Sequence, residues 1–293
     1  MSGKAGQAPT DIKGTRDGGL LSRYQYTYDA NDNPFREAVT RGTQTTSTAY
    51  NHDLDDRLIK ECHNSTSCTT ATDVDQYTYD ENSAITKVVR GDGLQLNAQY
   101  DDADQMVKVW AGTGPAPSAP TNTFDADGNP TGNGDGKITF DPLGRMTSNE
   151  PWRATYRYNA FGNRVSQTRE GTTSTFAWDL NNPLPMLAVK GPGFGEPTRA
   201  YRYDPTGAPL GVAHPYATEY KTSHVVTDRL GSPRDVVKPD GATAYRHDYT
   251  AYGQQETPVK STSRIAPDLG FTGESIDPGT GTVHLRARDY TPA

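Results

Sequence analysis

The amino-acid sequence predicts an all-β fold made of consecutive β-hairpins, and three observations support this prediction. Aromatic residues stand singly between polar ones, with 17 Tyr, 7 Phe and 3 Trp among 293 residues. Turn-forming residues are plentiful, including 29 Gly and 21 Pro. No stretch carries the i, i+3, i+4, i+7 apolar spacing of an amphipathic helix. These features favour many half-buried strands over one thick core.

Composition narrows the classes of function that the chain can have. Hydrophobic residues make up 32% of the chain and its mean hydropathy is −0.81, but the many aromatic residues argue against disorder. A net charge of −7 argues against a nucleic-acid partner, because nucleic-acid-binding surfaces are normally basic. The chain has no run of about 18 apolar residues, so the sequence predicts no membrane span.

The chain begins with a polar segment, residues 1–23, that we expect to be a flexible leader. Glycines are frequent in it, and the first aromatic residue of the chain is Tyr24. Residues 1–10 lack the apolar region of a secretion signal. For a secreted protein we therefore expect the signal to lie outside this chain, or the export route to need none.

One unit recurs through residues 24–220. It consists of an aromatic residue, often a second aromatic two residues later, then Asp or Asn, a turn, and a short β-prone run, as in Tyr77-Thr78-Tyr79-Asp80. The last aromatics of nine units follow one another at intervals of 16 to 29 residues. We expect these structural repeat aromatics to be Tyr28, Tyr50, Tyr79, Tyr100, Phe124, Phe140, Tyr158, Trp178 and Tyr203.

The chemistry of this unit predicts a hairpin. Side chains alternate along a strand, so Tyr-x-Tyr places both rings on one face. The Asp or Asn ends the strand and caps the turn, and Gly128 and Gly144 supply the positive φ that a tight turn needs. A single hairpin is barely stable, so we expect the hairpins to pair into a long, curved antiparallel sheet. We also expect the second ring of each pair to pack on the equivalent ring of the next hairpin.

The pattern resembles the YD-repeat, or Rhs (rearrangement hotspot), family. Residues 124–129, 140–145 and 158–164 match its repeat best. Residues 224–234, 240–241, 245–253, 271–274, 277–281 and 285–290 follow, in order, the pattern of the family's associated core. The resemblance therefore divides the chain into a leader at 1–23, YD repeats at 24–220 and an Rhs repeat-associated core at 221–293.

The resemblance implies a function as well as a fold. In this family the repeats form a hollow β-shell, the core closes one end, and a toxin domain is held inside and often released by self-cleavage. The sequence stops at Ala293, where the family would usually continue towards the self-cleavage motif, and Thr291 stands where many relatives have an Asp. We therefore expect a non-catalytic structural segment without the self-cleavage motif and without the toxin, belonging to a secreted, extracellular or cell-surface bacterial protein. Its expected partners are a toxin domain or further shell segments of the same or another chain.

An alternative function is an extracellular repeat module that binds carbohydrate or a cell-surface protein. Such a module would present exposed aromatic rings, and a row of solvent-facing rings such as Trp152 and Trp178 would favour it. Tyrosines packed between neighbouring strands would favour the structural shell. Enzymatic activity has little support, because none of the six histidines forms a HExxH pair and there is no GxSxG elbow.

The two cysteines, Cys62 and Cys68, lie close together in a turn-rich segment. They form either a disulfide at the tip of a hairpin or two free thiols. A zinc site is less favoured, because the spacing is unusual and only His63 is nearby.

Two further groups of residues are candidate binding sites with simpler explanations. Asp125, Asp127, Asn129, Thr131, Asn133 and Asp135 alternate like calcium ligands. Pro130 and Gly136, however, stand where that loop needs Gly and Glu, and two repeat turns explain the same residues. The second group is an anion-binding set of Arg234, Arg264, Arg286 and Arg288. We expect these arginines to pair with Asp or stack on Tyr. Since neither group is favoured as a binding site, we expect the chain to have no catalytic residue, no cofactor-binding residue, no metal ligand and no cofactor.

Overall fold

The structure is a computed structural model that describes residues 9–132, 136–192, 198–216, 219–256, 268–277, 281–286 and 288–292. In these residues the chain forms 27 β-strands and a single 3-10 turn, Phe271–Gly273, so the predicted all-β fold is confirmed. Contacts divide the chain into two units, Met1–Gly136 and Lys137–Ala293.

The first unit contains a nine-stranded antiparallel sheet in which every strand pairs with its neighbours in the sequence. Its strands are β1 (Asp11–Arg16), β2 (Gly19–Tyr28), β3 (Pro34–Arg41), β4 (Gln44–His52), β5 (Leu58–Cys62), β6 (Val74–Tyr79), β7 (Ile85–Val89), β8 (Gln95–Tyr100) and β9 (Met106–Ala111). A separate hairpin follows, made of β10 (Thr123–Phe124) and β11 (Pro130–Gly132).

Strand β1 corrects the expected flexible leader. Residues 11–16 pair with β2, and residues 19–23 belong to β2 itself. Ile12 is buried opposite Tyr24, so apolar burial anchors this strand despite its polar neighbours. The glycine-rich composition misled the sequence reading because Gly18 serves a tight turn with φ 78°. Residues 1–8 lie outside the described residues.

The second unit contains an eleven-stranded sheet with the same sequential pairing. Its strands are β12 (Ile138–Phe140), β13 (Met146–Asn149), β14 (Ala154–Tyr158), β15 (Arg164–Arg169), β16 (Thr172–Asp179), β17 (Met186–Lys190), β18 (Arg199–Tyr203), β19 (Pro209–Tyr216), β20 (Glu219–Thr227), β21 (Pro233–Val237) and β22 (Thr243–Arg246). The sheet runs through residue 221 without a break, so the boundary between repeats and core is not marked in it and stays a prediction.

The end of the chain adds five short strands to the second unit. They are β23 (Asp248–Tyr249), β24 (Gln255–Glu256), β25 (Ser275–Ile276), β26 (Val283–His284) and β27 (Asp289–Tyr290). We call residues 268–292 the C-terminal segment. Its Leu269 joins the apolar core formed by Leu187, Tyr201, Val212 and Val236 of the sheet, so the segment is part of the folded unit.

A five-residue turn with one hydrogen-bond pattern follows the aromatic position of nearly every repeat. In the turn that begins at Asp80, the carboxylate Oδ1 accepts the backbone N–H groups of Asn82 and Ala84, at 3.0 and 2.8 Å. The fourth residue has positive φ, which is 67° at Ser83. The same side-chain bonds recur in the turns that begin at Asp29, Asp53, Asp101, Asp125, Asp141, Asn159, Asp204 and Asp228.

These turns lie at one end of each sheet, and loops of variable length lie at the other. The variable loops range from two residues, 42–43, to eleven residues, 63–73. A β-bulge stands beside each five-residue turn, as between Thr78 and Tyr79 and between Arg157 and Tyr158. The repeated bulge increases strand twist at the same point of successive hairpins.

One predicted repeat position is wrong by two residues. The sequence reading placed Tyr50 directly before the turn, with Asn51 as its cap. Asn51 instead pairs with Lys60 inside the sheet, and the turn begins at Asp53, whose carboxylate accepts two backbone N–H groups. His52 therefore occupies the second-ring position in this repeat. Because the other repeats carry Tyr, Trp or Phe at this position, the histidine did not indicate the repeat in the sequence.

Candidate functional site

The first tyrosine of each Tyr-x-Tyr pair is buried and donates its hydroxyl to a buried carboxylate. In the first unit, Tyr26 donates to Glu37 Oε1 at 2.8 Å and Tyr77 donates to Glu61 Oε2 at 3.2 Å. Each acid lies on a strand that pairs with the strand of its own tyrosine, within the same sheet. In each of the two large sheets, we call the face that carries the first, buried tyrosines of the pairs the tyrosine face of that sheet.

In the second unit the acids come from the C-terminal segment instead. Tyr156 donates to Asp277 Oδ2 at 3.0 Å, and Gln167 Nε2 donates to the same oxygen at 2.6 Å. Tyr201 donates to Asp268 Oδ2. The segment therefore lies against the tyrosine face and supplies the acceptors that the sheet supplies for itself in the first unit.

Asp268 is the centre of a fully buried ionic cluster. Its Oδ1 lies 2.7 Å from Lys190 Nζ and 2.8 Å from Arg199 Nη1. Burial alone raises the pKa of Asp268, but the charges of Lys190 and Arg199 outweigh it and hold the pKa below its ordinary value. Burial and the negative charge of Asp268 raise the pKa of Tyr201 well above its usual range. The tyrosine is therefore a proton donor at any physiological pH.

A second buried cluster surrounds Asp289. Its Oδ1 lies 3.2 Å from both Arg164 Nη2 and His284 Nδ1, and the Arg164 guanidinium stacks 4.3 Å from the centre of the Tyr156 ring. Burial lowers the pKa of His284, which favours the neutral imidazole. Burial by itself raises the pKa of Asp289, but the hydrogen bond from His284 and the charge of Arg164 have a larger opposite effect. The pKa of Asp289 therefore lies below its ordinary value, and this carboxyl is ionised.

The second ring of each pair makes a different contact from the one expected. We expected ring-on-ring stacking between hairpins. The structure instead shows the ring hydroxyl, or the indole N–H, donating to a backbone carbonyl at or just before the start of the preceding strand, or one residue into it, at 2.6 to 3.0 Å. The donors and acceptors are Tyr28 and Pro9, Tyr79 and Leu58, Tyr100 and Ile85, Tyr158 and Met146, Trp178 and Arg164, and Tyr203 and Leu187.

Turn arginines cover two of these rings. The Arg57 guanidinium lies 5.1 Å from the centre of the Tyr79 ring, and that of Arg145 lies 5.2 Å from the centre of the Tyr158 ring. Each arginine is also bound to the Asp that opens its own turn. The hydrogen bond from Arg145 holds the pKa of Asp141 below its usual value. Ring, turn and preceding strand are thereby tied together.

The two Phe positions, Phe124 and Phe140, stand at the ends of β10 and β12 and are half-buried.

The Tyr158 ring is expected to contribute substantially to stability. Tyr158→Ala should lower the free energy of unfolding by about 2–3 kcal/mol, because a half-buried ring and its hydrogen bond to Met146 are lost. Limited proteolysis should show new cleavage around residues 140–180, since repeats mainly support their neighbours. Tyr220→Ala is the matched control, because this ring is 59% exposed on β20. Equal protease resistance of the two variants would contradict the expected role.

Cys62 and Cys68 are joined in the structure by a disulfide with a Cα–Cα distance of 5.4 Å. We expect non-reducing mass spectrometry to find the purified protein lighter than its reduced form by two hydrogen atoms. Reduction should cost about 2 kcal/mol of stability, a modest amount because the closed loop is short. Two thiols that alkylate without reductant would contradict this prediction.

Several of the other candidates from the sequence have structural partners. Asp125 Oδ1 accepts the N–H groups of Asp127 and Asn129, so these residues form a repeat turn, while Asn133 and Asp135 lie outside the described residues. Arg234 pairs with Asp248 and Arg286 with Glu274. Arg288 is exposed, and Arg264 lies outside the described residues. The Trp178 indole is bound within the sheet, whereas Trp152 is 43% exposed.

Sequence reasoning missed the buried acids that complete the site. Asp268 and Asp277 lie 67 and 121 residues from the tyrosines they bind, so no local pattern links them. Glu37 and Glu61 carried a usable signal, because each stands at an inward position of a β-prone run near a Tyr. In the part of the chain that the structure describes, no helix has the length and apolarity needed to cross a bilayer.

Comparisons with known proteins agree with this architecture. The teneurin YD-shell family matches residues 23–293. The chain is 24% identical over 246 residues to tRNA nuclease WapA of Bacillus subtilis, which is 80% of this chain and 10% of WapA. It is 32% identical over 144 residues to mouse teneurin-3, which is 47% of this chain and 5% of teneurin-3.

The fold also matches a solved structure. The crystal structure of TcdB2-TccC3-Cdc42 superimposes with a TM-score of 0.60 and 12% identity, over 94% of this chain and 17% of that one. The chain therefore spans a small part of each of these proteins. The hairpin repeats, their turns and the match of the family along nearly the whole sequence show that this chain belongs to the teneurin YD-shell family of YD-repeat, or Rhs, proteins.

Proposed function

We propose that this chain is a non-catalytic structural shell segment of a secreted bacterial protein, and that its sheets enclose or present a toxin domain. The observation that carries the proposal is that the buried carboxylates of the C-terminal segment bind side chains of the sheet. Asp268, Asp277 and Asp289 are each bound to side chains of the sheet and hold the C-terminal segment on the tyrosine face. These three carboxylates, a type of group that can act in catalysis, instead hold parts of the fold together.

The comparisons support the toxin part of this proposal. WapA is named as a tRNA nuclease, and this chain corresponds to about a tenth of its length. We place any such activity in another part of the natural gene product and assign the shell to this chain. Thr291 stands where many relatives have an Asp, and this departure from the family pattern supports a segment that does not cut itself.

The test is limited proteolysis of the complete natural gene product that contains this chain. A domain enclosed by the shell is expected to resist protease until the shell is opened, for example by Asp268→Asn. The intact mass of the isolated chain should stay constant over days. A neighbouring domain cut as fast in the wild type as in the opened variant would count against enclosure. Spontaneous cleavage at one fixed bond would count against a non-catalytic chain.

The alternative function, binding of carbohydrate or a cell-surface protein, rests on exposed rings such as Trp152 and Phe161, which are 43% and 80% exposed. The buried tyrosines and the bound Trp178 favour the structural reading. Saturable binding of the chain to a glycan array, lost on Trp152→Ala, would establish the alternative instead.

A further inference from the structure

Two buried acids and a half-buried histidine bring potential metal ligands together in the first unit. Glu61, His63 and Asp75 each offer one ligand atom, and these atoms all lie within 4.8 Å of one another. Glu61 and Asp75 are 2% and 3% exposed, so the group is enclosed by the sheet. The three residues belong to β5, the loop after it, and β6.

The pairing of β5 with β6 brings the two acids of this group together. Glu61 and Asp75 are register partners, so two buried carboxylates stand directly opposite each other. Like charges in this relation destabilise a sheet, and burial strengthens their repulsion. A divalent ion between them would turn the repulsion into attraction.

The disulfide and the backbone hold the third ligand in place. Cys62 lies between Glu61 and His63, and its bond to Cys68 closes the loop that carries the imidazole. The His63 N–H also donates to Asp73 O at 2.9 Å. The imidazole is thereby supported by two independent constraints, as ligand residues in preorganised sites are.

The distances suit a transition metal after a small contraction. His63 Nε2 and Asp75 Oδ2 lie 3.6 Å apart. Two ligands at about 2.1 Å from one Zn²⁺ ion lie about 3.4 Å apart in a tetrahedron. They cannot exceed about 4.2 Å, so a pair at the 4.8 Å limit must close by about 0.6 Å.

Arg90 holds the position of a cation in the structure. Its Nη1 lies 2.9 Å from Asp75 Oδ2, while the Gly91 N–H donates to Oδ1 at 2.9 Å. An entering ion must displace the guanidinium from the carboxylate. Arg90 and the ion therefore compete for Asp75, which gives the site a distinctive response to substitution.

We propose that Glu61, His63 and Asp75 bind a divalent transition-metal ion of the Zn²⁺ class. An imidazole nitrogen with two carboxylates suits such an ion, whereas Mg²⁺ and Ca²⁺ prefer oxygen ligands alone. Three protein ligands leave a fourth position for water. The bound ion clamps the disulfide loop to β6. This departs from the expectation of no metal residue, because the pairing of β5 with β6 brings Asp75 beside His63 although the two lie on opposite sides of a long loop in the sequence.

The test is isothermal titration calorimetry of the full chain with ZnCl₂, using protein with its disulfide intact and free of thiols, since a thiolate binds zinc itself. The wild type is expected to show a single saturable site and a higher melting temperature with zinc. His63→Gln should weaken binding at least about tenfold. His224→Gln, an exposed histidine on β20, is the matched control and should bind like the wild type.

Two further measurements separate a true site from a folding defect. Arg90→Gln should bind zinc more tightly than the wild type, because the competing guanidinium is gone. Circular dichroism should show that each variant remains folded, and MgCl₂ should not displace zinc. The absence of saturable zinc binding in the wild type, equal binding by His63→Gln, or weaker binding by folded Arg90→Gln would each overturn the proposal.

Discussion

Asp268→Asn is expected to lower the free energy of unfolding of the second unit by about 3–5 kcal/mol, since removing one partner leaves buried charges uncompensated. The substitution keeps the size of the side chain but leaves Lys190 and Arg199 buried without their shared carboxylate. It also weakens the acceptor of the Tyr201 hydroxyl. The contact between the C-terminal segment and the tyrosine face should therefore loosen before the sheet itself unfolds.

Urea unfolding followed by tryptophan fluorescence measures this loss, because Trp152 and Trp178 both lie in the second unit. Glu219→Gln is the matched control. It also removes one carboxylate, but the acid is exposed on β20 and its partner Lys221 is only half-buried, and pairs near the surface contribute little. Unfolding curves that coincide for the two variants would show that the Asp268 cluster does not hold the segment.

The second large effect concerns pH and His247. Burial lowers the pKa of His247 to about 4, and nearby Arg234 lowers it while Asp248 raises it. A histidine with a depressed folded pKa is neutral in the fold but takes up a proton when unfolded. Below the unfolded pKa of about 6.5, acid therefore favours unfolding. This group should cost about 3 kcal/mol of stability between pH 7 and pH 4.

The measurement is the free energy of unfolding at several pH values for the wild type and His247→Gln. The difference between the two proteins should change by that amount over this range, because His284, whose pKa is also lowered, contributes equally to both. His224→Gln, at an exposed position on β20, is the control for replacing an imidazole with an amide. Below about pH 4, stability should fall further as Asp268 and Asp289, whose pKa values are depressed, lose their charge. A pH profile that is the same in His247→Gln and the wild type would refute the role of this imidazole.

The hairpin repeat was predictable because its signals are local. An aromatic, an Asp and a positive-φ residue within six positions are enough to locate a turn, as at Tyr79, Asp80 and Ser83. The prediction went wrong at Tyr50, where His52 takes the aromatic position. It also misjudged residues 11–23, where glycines serve a turn between strands.

The candidate site was less predictable because its contacts are distant in sequence. Tyr156 and Tyr201 were recognised as repeat residues, but their acceptors come from the C-terminal segment. The second rings of most repeats donate hydrogen bonds to backbone carbonyls, and such bonds require the register of two neighbouring strands. Period and composition carry no information about that register.

The difference between the two ends of each sheet bears on how such a chain can change over evolution. A residue added to a five-residue turn such as 159–163 would break its hydrogen-bond pattern and shift one strand, which moves every side chain to the opposite face. A segment added at a variable loop such as 63–73 leaves the paired strands in register. Insertions should therefore accumulate on one border only, and that border is the place to graft an epitope or a reporter domain.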